Sequence, residues 1–239
     1  MSGRPAGAAV PRPPGVLSGL ARCSWDPLAI TRLAQRRAVV SVAGDVGGLV
    51  VDVGAGRQPH RDVLEARARR LVAVDIPGDS PTAGIDVWGD ATALPLVSGC
   101  ADTVTCLSAI WYVAEPRAAI AELARVLRPQ GRLVLLAQQI RGESPEANDY
   151  WRFSRQGLEL LAREAGFESV RVVATNGVFA TTGQRLSGWM YEALSVRRPV
   201  PRWITRKLCA LVLMPCWLLD QLEWGRQETL HWLLTAQRP

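Results

Sequence analysis

The sequence is almost without lysine. Lys207 is the only one among 28 basic residues, so the net charge of +6 is an arginine charge. Alanine and glycine are also abundant, which makes the bias compositional. The arginines are scattered singly and never form a block interleaved with aromatics, a pattern that argues against nucleic acid as a partner. Cysteine is sparse too. Cys23, Cys100, Cys106, Cys209 and Cys216 are odd in number, lack Cys-x-x-Cys spacing and mostly lie inside apolar runs. That usage indicates no disulfide framework and no zinc or other metal site, and suits reduced core residues of a cytoplasmic protein. Long apolar runs are missing: Leu208 to Leu219 is interrupted by Pro215 and falls short of the ~20 residues that cross a bilayer as a helix.

The N-terminal stretch is rich in Pro, Gly and Ala without a continuous apolar core. It is expected to be a flexible tail over residues 1–22 and not a signal peptide. With 239 residues, 48% hydrophobic and 21% charged, the chain suits one α/β domain over 23–239 with an insertion at about 180–227. No internal repeat is visible.

What is present is an alternation of strand and helix patterns. Asp26-Pro27 starts a helix running to about Ala43. The apolar run Leu49 to Val53 then carries one acid, Asp52, and ends in the turn Gly54-Ala55-Gly56. A helix is expected over His60 to Arg69, strands at Leu71 to Asp75, Ile85 to Trp88 and Ala101 to Leu107, and a helix opening at Glu115-Pro116. Arg128-Pro129-Gln130-Gly131 reads as the turn into a strand over Arg132 to Ala137. Ser154 is placed to cap a helix that stops at Gly166, and Glu168 to Ala174 is a further strand. Gln184 to Leu194 and Pro201 to Trp224 read as helices, and Thr229 to Ala236 as a terminal strand. Such alternation predicts a doubly wound, mostly parallel sheet with helices on both faces.

Asp75 stands nineteen residues after Gly56 at the end of the next apolar run, where an acid can accept bonds from a ribose diol. With these residues in hand, the chain resembles the class I S-adenosylmethionine-dependent methyltransferases, in particular the small bacterial type 11 branch. Val51-Asp52-Val53-Gly54-Ala55-Gly56 is similar to that family's first motif and Asp75 to its ribose acid. Gly89-Asp90-Ala91-Thr92-Ala93-Leu94-Pro95-Leu96 resembles its adenine segment, and Arg125 to Leu133 its turn from helix to fifth strand. The resemblance implies a seven-stranded Rossmann-like sheet with an antiparallel last strand and S-adenosylmethionine as cofactor. The implied cofactor residues are Asp52, Gly54, Ala55, Gly56, Asp75, Ile76, Asp90, Ala91 and Ser108. Asp52 would accept from amides of the glycine loop near the cofactor's ammonium group, and Asp90 from the adenine amino group. A nicotinamide-binding fold competes, but its third glycine would fall at Pro59, which neither donates an N–H nor permits close strand–helix packing.

Where the family often shows a Glu-His pair after strand four, this chain reads Trp111-Tyr112. No catalytic base is therefore assigned. Tyr112, better suited to an aromatic wall, and His60, better suited to a local helix cap, are the two candidates. Tyr150, Trp151 and Arg152, with Trp111, are candidates for an acceptor-side wall or lid. Methyl transfer to an oxygen or nitrogen of a small or lipid-linked acceptor is the expected activity. A cofactor-binding or assembly protein without catalysis is the alternative. The basic and tryptophan-flanked segment 201–224 is expected to cap the substrate pocket or form a homodimer contact in preference to a peripheral membrane contact.

Overall fold

The computed structural model describes residues 26–78, 84–142, 148–198, 200–222 and 228–239. The expected N-terminal tail and Trp224 lie outside these residues. The chain divides into two compact units, one built from Val42–Gln139, Glu143–Val173 and Trp232–Pro239, the other from Met1–Ser41, Ile140–Gly142 and Ala174–His231.

The first unit carries the sheet. Its strands are β1 (Gly48–Val53), β2 (Ala68–Asp75), β3 (Val87–Trp88), β4 (Ala101–Leu107), β5 (Leu127–Gln138), β6 (Glu168–Ala174) and β7 (His231–Gln237). They lie in the order β3-β2-β1-β4-β5-β7-β6, with β7 antiparallel. The β1 strand pairs in parallel with β2 on one side and β4 on the other, with Asp52 opposite Ala73 and Thr105. Strand order therefore reverses between β1 and β4, the point in an open parallel sheet where loops at the carboxyl ends part and leave a crevice. Val50, Val51, Ala73, Val74 and Val104 are buried, as the unbroken apolar runs require of strands covered on both faces.

Several boundaries differ from expectation, among them the helix expected to open at Gln184, which opens at Val178. The first crossover helix spans only Arg61–Glu65, because Gly48 and Leu49 draw Ala68 and Arg70 into the β1–β2 ladder through a register shift. The anticipated turn at 128–131 lies inside β5, where Gln130 takes φ 63° and the register shifts against Ala101 and Thr103. Arg238 N–H donates to the Gly131 carbonyl, and Gln130 N–H to the Arg238 carbonyl, so this irregularity joins β5 to the end of β7's strand.

The α-helices in chain order are α1 (Ala29–Ser41), α2 (Arg61–Glu65), α3 (Pro116–Val126), α4 (Arg155–Glu164), α5 (Val178–Tyr191) and α6 (Arg202–Asp220). Pro116 opens α3 at its first turn, and Ile120, Leu123 and Val126 bury one face. Ser154 caps α4, its side chain accepting the Gly157 N–H.

The second unit is helical. Helices α5 and α6 run antiparallel, with Gly183 packed against Cys216 and the Cys209 thiol 3.5 Å from the Ser187 carbonyl. A Cβ on Gly183 would stand 2.5 Å from Cys216 Cβ, so glycine sets that close approach. Asp220, buried at the end of α6, accepts the Gly177 and Ala180 N–H groups at 2.9 Å each. It thereby satisfies the free amides of α5's first turn and meets the positive end of that helix. Ala29, Ile30, Ala180, Leu213, Trp217 and Leu230 form the core of this unit.

Candidate functional site

The glycine turn after β1 is shaped by where its amides go. Gly54 and Ala55 N–H both donate to the Val74 carbonyl, at 2.9 and 3.1 Å. Gly56 N–H donates to Asp75 Oδ2 at 2.6 Å. Gly54 has φ 70°, and a Cβ there would lie 2.2 Å from Ala109 Cβ, so both its conformation and its packing demand glycine.

Asp75 ends β2 with both oxygens engaged: Oδ2 by Gly56 and Oδ1 by its neighbour Ile76 N–H at 2.8 Å. A carboxylate has roughly four lone-pair sites, so each oxygen keeps capacity for one further donor. Ile76 is 58% exposed beside it. A charged acceptor pair next to an accessible apolar side chain fits a nucleoside, its diol on the acid and its base on the apolar surface.

Asp52 departs from its expected role. The loop amides are used elsewhere, and the buried Asp52 instead accepts the Thr105 Oγ1 hydroxyl at 2.6 Å across the β1–β4 pair. Burial pushes its carboxyl up to about 7; the Thr105 bond opposes the shift and the nearby Asp75 charge adds to it. Such an acid is poised to ionise when a cation arrives beside it. Ser108, just beyond β4, holds φ 77°, a strained backbone for a residue with a side chain, and its N–H donates to the Leu136 carbonyl at 3.4 Å.

Asp90 and Ala91 follow β3. Asp90 Oδ1 accepts both the backbone N–H and the hydroxyl of Thr92, each at 2.7 Å, and these bonds hold its carboxyl below the usual range. The segment beyond is pinned from α3. Glu122 accepts the Leu94 N–H, and the Arg125 guanidinium donates to the Leu94 and Leu96 carbonyls.

The aromatic candidates do converge. The Trp111 carbonyl accepts the Tyr150 and Trp151 N–H groups at 3.1 and 3.2 Å, and Trp151 Nε1 donates to the Ala114 carbonyl. The Trp111 and Tyr112 rings are 5.4 Å apart and tilted. Trp111 is buried, while Tyr150 and Trp151 stay exposed. Arg152 forks onto Asp149 through two bonds of 2.5 and 2.6 Å, which makes it a brace of this segment. His60 is buried at the position before α2 and makes no side-chain capping bond, so the local-cap expectation is corrected.

Several supporting residues escaped the sequence reading. Thr105 and Asp149 are defined only by their partners in space. Gln138, at the end of β5, gives its carbonyl to Phe153 N–H at 2.8 Å, and its buried Oε1 has no hydrogen-bond partner among the described residues. A polar residue closing the apolar run Leu133 to Ala137 was the available signal.

A glycine turn and a strand-end acid at the switch point of a parallel sheet define a nucleoside-binding α/β protein. The chain belongs to the type 11 S-adenosylmethionine-dependent methyltransferases: the family model "Methyltransferase domain" matches residues 51–135. A ubiquinone/menaquinone biosynthesis C-methyltransferase of Rubrivivax gelatinosus is 31% identical over 180 residues, 59% of this chain and 71% of that protein. A demethylmenaquinone methyltransferase of Clavibacter sepedonicus is 37% identical over 114 residues, covering 44% of this chain and 45% of that relative, less than half its length. Among solved structures, a S-adenosylmethionine-dependent methyltransferase of Thermotoga maritima, titled a possible histamine N-methyltransferase, superposes with a TM-score of 0.56. It is 16% identical, with 94% of this chain and 99% of that one covered, a likeness of fold. The protein is thus a methyltransferase that uses S-adenosylmethionine.

Proposed function

We propose that the enzyme methylates a ring carbon of a hydroxylated aromatic acceptor of the demethylmenaquinone kind, with its cofactor held by the turn after β1 and the ends of β2, β3 and β4. The observation that carries the acceptor class is an aromatic shelf: Tyr112, Tyr150 and Trp151, half-buried or exposed, gather around the buried Trp111 through its ring and its carbonyl. It offers flat apolar surface to a ring, and the relatives' names support a quinone-type ring with carbon as the methylated atom. That moves the expected acceptor atom from oxygen or nitrogen to carbon.

S-adenosylmethionine supplies a methyl group activated on a sulfonium. Asp75 and Ile76 would hold its ribose and adenine, Asp90 and the Ala91 amide the far edge of the base, and Gly54, Ala55, Gly56, Asp52 and Ser108 the amino-acid end. Ionised Asp52 would balance positive charge in a buried place. The shelf positions the acceptor and excludes water, which is most of what an in-line displacement asks of a protein. Loss of a proton from the acceptor's hydroxyl makes the neighbouring ring carbon nucleophilic. With the cofactor bound, that carbon would take up the methyl group in a new C–C bond, the S–CH3 electron pair leaving with the thioether, and loss of the ring C–H proton would restore aromaticity. His60 and Tyr112 remain the candidate bases.

Incubation with isotope-labelled S-adenosylmethionine and a demethylmenaquinol bearing a short prenyl tail tests this reading. The expected product carries one labelled methyl on ring carbon by NMR. A methyl ether, or no product from a chain that binds the cofactor, contradicts it.

A further inference from the structure

Helix α6 shows two faces. Thr205, Cys209, Leu213, Trp217 and Asp220 are buried within its own unit. On the opposite side, Trp203, Leu211, Met214, Leu218 and, just past the helix, Leu222 are 53–66% exposed in one stripe with Lys207 between them. Solvent-exposed large apolar side chains aligned over a whole helix mark a contact surface. On α5, Trp189 is a further 66% exposed.

Charge says what kind of surface it meets. Between Gly177 and Leu219 there are six basic residues and one acid, Glu192, which pairs with Arg197 at 2.7 Å. Arg197, Arg198, Arg202, Arg206 and Lys207 collect where α5 ends and α6 begins, around Trp203, over whose ring Lys207 Nζ sits 5.1 Å from the centroid. A symmetric contact with a second copy would set arginines against a face that, among the described residues from Gly177 to Leu219, offers one acid, Glu192, already paired with Arg197. A phospholipid surface supplies the missing negative charge, and a tryptophan beside basic residues matches its headgroup level. No described helix is long and apolar enough to cross a membrane, so the helix lies on the surface.

We propose that α6 docks on an anionic phospholipid surface. Leu211, Met214 and Leu218 enter the acyl boundary, Trp203 sits among the headgroups, and the arginines at the start of the helix meet phosphates. The proposal rests on exposure and charge in the helical unit and stands apart from the acceptor assigned above.

Co-sedimentation of the full chain, without cofactor or acceptor, with vesicles of phosphatidylcholine alone or mixed with phosphatidylglycerol tests it. Binding to the mixed vesicles only is expected, reversed by high salt and weakened ~10-fold or more by combined R202E, R206E and K207E. Combined L211S, M214S and L218S, which leave the buried seam intact, are expected to weaken binding with an unchanged circular dichroism spectrum. Absence of binding to mixed vesicles overturns the proposal, as does binding indifferent to both variants. A dimer in sedimentation equilibrium that L211D dissociates would assign the face to a second copy and also overturn it. Methyl transfer to the short-tailed acceptor in solution reads out the other proposal separately.

Discussion

The carboxylate of Asp75 receives the backbone N–H of Gly56 at 2.6 Å, across nineteen residues of chain. Through this bond the end of β2 fixes the turn after β1, and Ile76 N–H fixes the same carboxylate from the other side. The group read as the ligand's anchor is therefore also a fastener of its own cradle.

Gly54 tests the turn. Replacement by Ala adds backbone strain at φ 70° and places a Cβ 2.2 Å from Ala109 Cβ. Gly54→Ala is expected to destabilise the protein by about 2–4 kcal/mol in urea unfolding and to weaken cofactor binding in the refolded protein. Adding Ala109→Gly relieves the contact but not the strain, so recovery should be partial.

Asp52 gives a pH dependence whose sign is fixed. Its carboxyl titrates at about 7 when folded against an ordinary 3.8, chiefly through burial. The folded state holds the proton more tightly, so this group's contribution to stability is complete below pH 3.8 and is lost as pH rises toward 7, by as much as about 4 kcal/mol. Asp52→Asn keeps an acceptor for the Thr105 hydroxyl and should flatten that slope in unfolding midpoints measured from pH 4 to 8. If the ionised form faces the cofactor's positive charge, cofactor binding below pH 7 releases a proton, visible as a buffer-dependent binding enthalpy that the Asn variant lacks.

The sheet was legible because its signals are local. Unbroken apolar runs at Leu49 to Val53 and Leu133 to Ala137 leave little alternative to buried strands, and the turn residues at Gly54 and Gly56 punctuate them. The turn expected at 128–131 lies inside β5 because Arg238, just past β7 and more than a hundred residues away, bonds Gln130 and Gly131. Helix α2 was overdrawn for the same reason, since pairing with Gly48 overrode the local pattern. At the site, Asp75 could be found by spacing, whereas the Thr105–Asp52 and Arg152–Asp149 pairs follow from register and loop path. The loop-amide bonds expected of Asp52 do not form because those amides have nearer acceptors in Val74 and Asp75.

Asp220 tests the helical unit. Its carboxylate is buried and takes two amides of α5's first turn. Asp220→Ala leaves both donors without their acceptor, and a loss of about 2–4 kcal/mol is expected. Asp220→Asn should retain part of it. Hydrogen exchange at Gly177 and Ala180 reports the change directly, with faster exchange expected there than in β1.

The most direct measurement is calorimetric titration of S-adenosylmethionine into the intact protein and into Asp75→Ala. Micromolar binding by the parent chain and a loss of ~100-fold or more in the variant are expected, with the folded circular dichroism spectrum retained. Failure of the parent chain to bind, or equal affinity in the folded variant, would contradict this cofactor site.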